Sequence, residues 1–440
     1  MAAQGAFADS PDEGARQGMA HSFRALRHRD FAIFWTGAFI TNAGAWFQSL
    51  GVPYVLLLLT GSPLWVGLAA AAQFVPVMVL GPLGGQIAER GRLKRTLLIT
   101  QGARSLAALA LFACWSLGVR EPVVFLLLVM VAGCAQGVSM PSWQAFVHEL
   151  AGKTDLPSAV TLNTLQFNLS RSFGPAIGGV ILLAWGPGAA FFLAFLAVLS
   201  VVAALTLVQR GGKPSPGAIA QAVGEPVASP RPRQGVFEGF AEAWHYSRSQ
   251  PGIVLALVLV TCVGLLGMPV FQHVIVYAEL VYRSGEMGLT FLNLGLGLGT
   301  LLAAPIVAGF DHKISRSQMV RWATPAYGAA LIVFAMTPNT YIGAGALLFV
   351  GAAFLATISV GNTSIQMLVA NHMRGRVLAL NVMVYTGSVA LGAYLQGWLS
   401  DWIGPRETPI IAGGALIAAG IVMMLWRGRH ALTALDDVKA

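Results

Sequence analysis

The segment Gly81 to Leu97, GPLGGQIAERGRLKRTL, sets one carboxylate, Glu89, directly before four bases, Arg90, Arg92, Lys94 and Arg95. A carboxylate is favoured at a helix N-terminus, and Arg374 and Arg376 open a later apolar run in NHMRGRVLAL. A second stretch with chemical content is Ala159 to Pro187, in which Arg171 stands about 21 Å along a helix beginning near Pro157. A cation at that depth needs a partner, either a substrate anion or backbone carbonyls and neighbours such as Asn168 and Gln166. Arg104 lies nearer the end of its apolar run and is expected to snorkel.

The other polar side chains inside apolar runs are Asn42, Gln48, Gln73, Asn163, Gln272, Asn293, Asn362, Gln366, Asn381 and Tyr385. With Arg171 they are expected to line a substrate cavity or to bridge helices. His273 is the titratable imidazole within a run, and it reads either as a proton relay or as a structural hydrogen-bonding residue. Asp30 and Glu149, at run ends, are the fallback proton sites. All 18 Asp and Glu fall in loops or at run ends, so the expected cavity is neutral to positive. The chain has no phosphate-binding loop and no His-Cys cluster with ligand spacing, so no enzyme activity, metal, cofactor or nucleotide is expected. Cys114, Cys134 and Cys262 read as small core residues without a disulfide.

Positioning such residues is a matter for membrane-spanning helices. Of the 440 residues 56% are hydrophobic and 10% charged, where soluble domains carry roughly a quarter charged residues. Twelve runs are long enough to cross a hydrocarbon core of about 30 Å. The net charge of +9 is topological rather than a nucleic-acid footprint, since 22 of 27 Lys and Arg fall in segments on one side. That asymmetry places both termini in the cytoplasm. Residues 1–22 form a disordered arm, 23–208 and 251–427 two six-helix bundles, 209–250 a cytoplasmic linker and 428–440 a tail. Arg24, Arg27 and Arg29 read as anchors at the membrane surface. In the linker, Phe237, Phe240, Ala241 and Trp244 share one helical face, as an interfacial helix requires.

The halves echo each other. Moving 218 positions on, Asn163, Gly174, Gly179, Gly186 and Pro187 fall on Asn381, Gly392, Gly397, Gly404 and Pro405.

The basic segment resembles the loop signature of the major facilitator superfamily: Gly85, Ala88, Arg90, Lys94 and Arg95 match, Ile87 stands for Leu, Glu89 for Asp, and Arg92 and Leu93 depart. Residues 133 to 179 are similar to the branch containing the enterobactin exporters and macrolide efflux pumps, the transmembrane secretion effectors. Within them Gly174, Pro175, Gly178 and Gly179 resemble part of the GPxxGG element associated with export, while Gly133 stands where the superfamily has a fourth-span arginine. The resemblance implies an all-α fold of twelve transmembrane helices in two pseudo-symmetric bundles, alternating about a midplane site. It implies a monomeric, multi-pass inner-membrane exporter of a medium-sized amphipathic siderophore, antibiotic or related metabolite, driven by protons. Gly85, Glu89, Arg90, Lys94, Arg95, Gly174, Pro175, Gly178, Gly179, Arg374 and Arg376 would then form the conformational gate. An importer of organic anions and a non-transporting sensor are the alternative readings.

Overall fold

The computed structural model describes residues 23–152, 155–209, 236–310, 315–370 and 373–425, together with Leu435; within its helices, the side chains at 168, 171, 172, 236–238 and 308–310 lie outside that description. Every regular element among the described residues is helical. A 3-10 turn at Arg24–Arg27 leads into α1 (Arg29–Thr60), α2 (Pro63–Glu89), α3 (Leu93–Ser116), α4 (Pro122–Ala151) and α5 (Leu156–Leu207). After α6 (Val236–Ser249) come α7 (Pro251–Cys262), α8 (Pro269–Val276), α9 (Gly285–Phe310), α10 (Arg316–Ala335), α11 (Thr340–Leu368), α12 (Arg374–Ile403) and α13 (Glu407–Leu425). Helices α7 and α8 form one run, Pro251–Val281, with π turns at Val263–Gly267 and Tyr277–Val281.

Ten helical runs are by themselves long and apolar enough to cross a membrane. The other two crossings are the first arm of α5 and α10, whose opening turns hold Arg316, Gln318 and Arg321. Twelve crossings result, as expected. The break that divides α5 is Gly186, with φ 74° and ψ −177°, followed by Pro187. Its repeat mate Gly404, with φ 114° and ψ 153°, ends α12 just before Pro405. Backbone of this kind is open essentially to glycine alone, so the repeated Gly-Pro pair encodes the same reversal in both halves. Gly186→Ala is expected to cost about 1–3 kcal/mol, read as a lower unfolding midpoint in detergent. Gly345→Ala, on a helical position with open space around it, should leave the midpoint within error.

In the first half, α1 lies against both arms of α5. The Trp35 Nε1 donates to the Leu162 carbonyl at 3.0 Å on one arm, and the Thr41 hydroxyl donates to the Ala197 carbonyl at 2.8 Å on the other. Helix α2 packs on α4 where Gly133 and Gly137 admit its backbone, and α9 packs on α11 through Gly295, Gly299 and Gly351. Small residues four apart allow such approach in a bilayer, where packing and not water exclusion drives association. Gly351 is Gly133 moved by the same 218 positions. The repeat therefore extends to the packing within each half.

At the end where the chain begins, Arg24 Nε lies 3.4 Å and His28 Nε2 2.7 Å from the carboxylate of Asp155, and the Ala25 amide donates to the Ser158 hydroxyl at 3.0 Å. Arg24 thus ties the entry turn to the start of α5 as well as sitting at the surface. Helix α6 is docked on the second half: Ala243 and Ser247 are buried, Phe240 packs on the core, and the Ala370 amide donates to the Tyr246 hydroxyl at 3.2 Å. Glu242 pairs with Arg376 at the start of α12. The buried face is rotated from the one expected, because Ala241 and Trp244 are exposed; Phe237 lies outside the described side chains. The arm 1–22, most of the linker and the tail also lie outside the described residues.

Candidate functional site

The two halves meet mainly along two helix pairs, α2 with α12 and the first arm of α5 with α9. Both pairs close at the end where α1 turns into α2, called the far end below. There, a Cβ built on Gly397 of α12 would lie 2.7 Å from the Pro63 carbonyl of α2. A Cβ on Gly179 of α5 would lie 2.6 Å from the Thr290 hydroxyl of α9. Gly179 and Gly397 are repeat mates, so one sequence echo supplies a close approach on both flanks of the interface; on the α2–α12 flank Gly67 adds another, against the Ala393 carbonyl. Pro175 and Gly174 stand one turn deeper in α5, against Trp46, and Gly178 faces Phe47 and Leu50 of α1.

Polar groups reinforce this end. The Tyr54 hydroxyl of α1 donates to Glu286 Oε1 of α9 at 2.8 Å. Asp401 of α12 accepts from the Ser62 hydroxyl and from the Leu64 amide, at 3.3 Å, in the first turn of α2. That is an anion at a helix N-terminus, contributed by the opposite half. His273 is buried in the same interface; its Nδ1 faces the Pro269 carbonyl at 3.0 Å, and its Nε2 has no partner among the described residues.

The opposite end, which carries the basic segments, is held together within each half. Lys94 Nζ donates to the Val208 carbonyl at 2.6 Å, Arg374 donates to the Gln366 carbonyl at 3.0 Å, and Arg376 pairs with Glu242. Glu89, Arg90 and Arg95 are exposed, Gly85 has open space around it, and Glu89 has no ion pair among the described residues. No hydrogen bond or ion pair joins the segment around Glu89 to the start of α12 among the described residues. Asp30 lies in the first turn of α1 and Glu149 in the last turn of α4, both partly buried at this end.

Between the ends lies a cleft inside the first half. It is lined by Gln48 from α1, Gln73 from α2, Arg104 from α3, Gln136 from α4 and Ala194 from the second arm of α5, with Gln272 of α8 at its edge. Gly133 belongs to the same wall, and a Cβ there would lie 2.6 Å from the Gln73 carbonyl. No side chain fits at that position, so the cation of this cleft comes from α3. A smaller recess between the halves is lined by Trp46, Pro175, Phe271, Asn293 and Thr300.

The structure thus brings Gln48, Gln73 and Gln272 into one cleft and puts Asn293 in the adjoining recess. Asn42 sits in α1 with its side-chain amide nitrogen buried and without a partner. Asn163 and Asn381 are repeat mates that each bond a second amide: Asn163 accepts from Gln166 of its own helix at 2.7 Å, and Asn381 donates across to Asn362 of α11 at 3.0 Å. Gln366 is exposed and Tyr385 partly buried. The side chain of Arg171, and with it the expected role, lies outside the described residues. Sequence reading assigns Arg104 to snorkelling and misses Gln136, Tyr54, Glu286 and Asp401. For Arg104 a signal was present: it stands twelfth in the 24-residue α3, about 17 Å from its start, too deep to snorkel with ease.

Comparison with known proteins comes to rest on this architecture. A family model described as transmembrane secretion effector matches residues 20–437. The uncharacterized MFS-type transporter YfiS of Bacillus subtilis is 24% identical over 399 residues, 88% of this chain and 90% of that protein. The enterobactin exporter EntS of Citrobacter koseri is 24% identical over 416 residues, 91% of this chain and 92% of that protein. Among solved structures, a D-xylose-proton symporter is similar with a TM-score of 0.65 at 15% identity, covering 91% of this chain and 99% of that one. The nucleoside transporter NupG is similar with a TM-score of 0.63 at 14% identity, covering 93% of this chain and 100% of that one.

Proposed function

The chain belongs to the transmembrane secretion effector family of the major facilitator superfamily, and from that premise we propose that it exports a medium-sized amphipathic small molecule by alternating access, coupled to protons. The observation that carries this reading is the pair of repeat-related contacts, Gly179 on Thr290 and Gly397 on Pro63, which close the far end on both flanks while the basic end has no comparable bond among the described residues. Two related halves that meet tightly at one end and not at the other are the arrangement that rocking transporters use. With 22 of 27 Lys and Arg on the basic side, that side is cytoplasmic under the positive-inside rule, and this is the state that loads cargo from within. Siderophore-like and antibiotic-like molecules are the cargo class, by analogy with the relatives.

In the opposite state Glu89 would reach the N-terminus of α12, now occupied by Arg374 and Arg376. A carboxylate there is worth roughly 0.3–1 kcal/mol, so Glu89→Gln should slow flux by about 2- to 5-fold and leave far-end distances as they are. The reading itself is tested in proteoliposomes, by following efflux of candidate siderophores and antibiotics with and without a pH gradient. Flux indifferent to the gradient removes proton coupling; accumulation in place of extrusion when the gene is expressed removes export.

A further inference from the structure

We propose that Arg104 and the glutamines around it form an anion-binding subsite, so that the exported molecule carries a carboxylate or similarly acidic oxygen group that enters the first-half cleft. This rests on the transport reading above and names the cargo class for that same cavity. Arg104 projects from the middle of α3, and its guanidinium makes one hydrogen bond among the described residues, Nη1 to Gln101 Oε1 at 3.1 Å. Five N–H donors are present on a guanidinium, so the remainder face the cleft without protein acceptors among the described residues. No carboxylate lines the cleft.

An unpaired cation within a membrane protein is costly, and such residues pair with one another, with carbonyls or with a substrate. Here the surroundings are built for the third case. Gln48, Gln73 and Gln136 come from three different helices, and their side-chain amides can donate to an oxyanion. Gly133 lets the α2 backbone close in on α4 and so fixes Gln73 and Gln136 on adjacent walls. A guanidinium flanked by amide donors binds planar oxyanions in bidentate fashion and discriminates against cations. Val52, Val129 and Val198 supply the apolar part of the wall, which suits an anion borne on a hydrophobic body.

The test uses the purified full chain in detergent and reads thermal unfolding with benzoate, with neutral benzamide and without additive. If the subsite is real, benzoate raises the wild-type midpoint by about 2 °C or more, benzamide does not, and Arg104→Gln loses the benzoate shift while unfolding no earlier than wild type without additive. Arg104→Lys, which keeps the charge but not the fork, should retain part of the shift. The proposal is overturned if wild type gains no more from benzoate than from benzamide, if Arg104→Gln keeps the full shift, or if that variant unfolds earlier without additive, which would make Arg104 a structural tie to Gln101. Because binding is read without flux, failure here leaves the exporter reading standing, and failed flux leaves this result standing.

Discussion

Gly397→Val is expected to abolish transport, with flux falling at least about tenfold, while the protein remains inserted and folded. A β-carbon at Gly397 would meet the Pro63 carbonyl at 2.7 Å and His273 Nε2 at 3.3 Å, and valine adds two methyl groups beyond it. Overpacking of a tight contact costs about 1–3 kcal/mol, and here it is charged to one state alone, because the contact exists only while the far end is shut. Backbone atoms cannot swing aside as a flexible side chain can, so the helices must separate. Distances between spin labels at the far end should lengthen in the variant. Gly414→Val, at a helical position facing open space, should transport like wild type. Unchanged far-end distances together with normal flux in Gly397→Val would sink the claim that this glycine seals the interface.

A different outcome is expected from Tyr54→Phe combined with Asp401→Asn. These side chains carry the cross-half bonds to Glu286, Ser62 and the Leu64 amide; Tyr54→Phe deletes the first, Asp401→Asn takes the charge from the other two, and neither takes anything from the packing. Hydrogen bonds to charged groups are worth about 1.5–3 kcal/mol each, partly recovered by water once the groups separate. The ratio of far-end-open to far-end-closed molecules should rise by roughly 10- to 100-fold. Single-molecule energy transfer between far-end labels measures that ratio directly. Where the valine blocks closure outright, this double variant biases it, so transport continues with an altered rate. An unaltered population ratio would show that packing, and not these bonds, holds the far end.

The fold was legible because apolar runs of membrane length are hard to mistake and because the halves share glycines at one offset. What the offset did not disclose was the work done at each position. Gly186 and Gly404 set a backbone reversal, Gly179 and Gly397 set the inter-half approach, and Asn163 and Asn381 each hold a second amide. The site was less legible. Gln48, Gln73 and Gln272 stand out as interior polar residues and do line one cleft, yet their neighbour Arg104 reads as a snorkelling residue and Gln136 goes unremarked. Convergence of five helices on one cleft has no one-dimensional signature. Placing the start of the third run a few residues late also made Arg104 look shallow. Glu286 and Asp401 were read as acids at span ends, which they are; the bonds they make to the other half appear only when α9 and α12 are set beside α1 and α2. The face of α6 turned because a core composed of α7 and α12 competes with the lipid surface for its apolar residues, and amphipathic periodicity alone does not choose between them.

While the far end is shut, the repeat-related contacts at Gly179 and Gly397 define two bearing points, one on each flank, and the line through them is an axle for movement of the basic end. Helix α2 runs from that axle to the basic end, from Pro63 to Glu89, a lever of about 39 Å at the helical rise per residue. A turn of roughly 10° about the axle would carry the lever's tip by about 7 Å. A small roll of one glycine face over its neighbour therefore opens or shuts a passage wide enough for a molecule, with neither half having to deform.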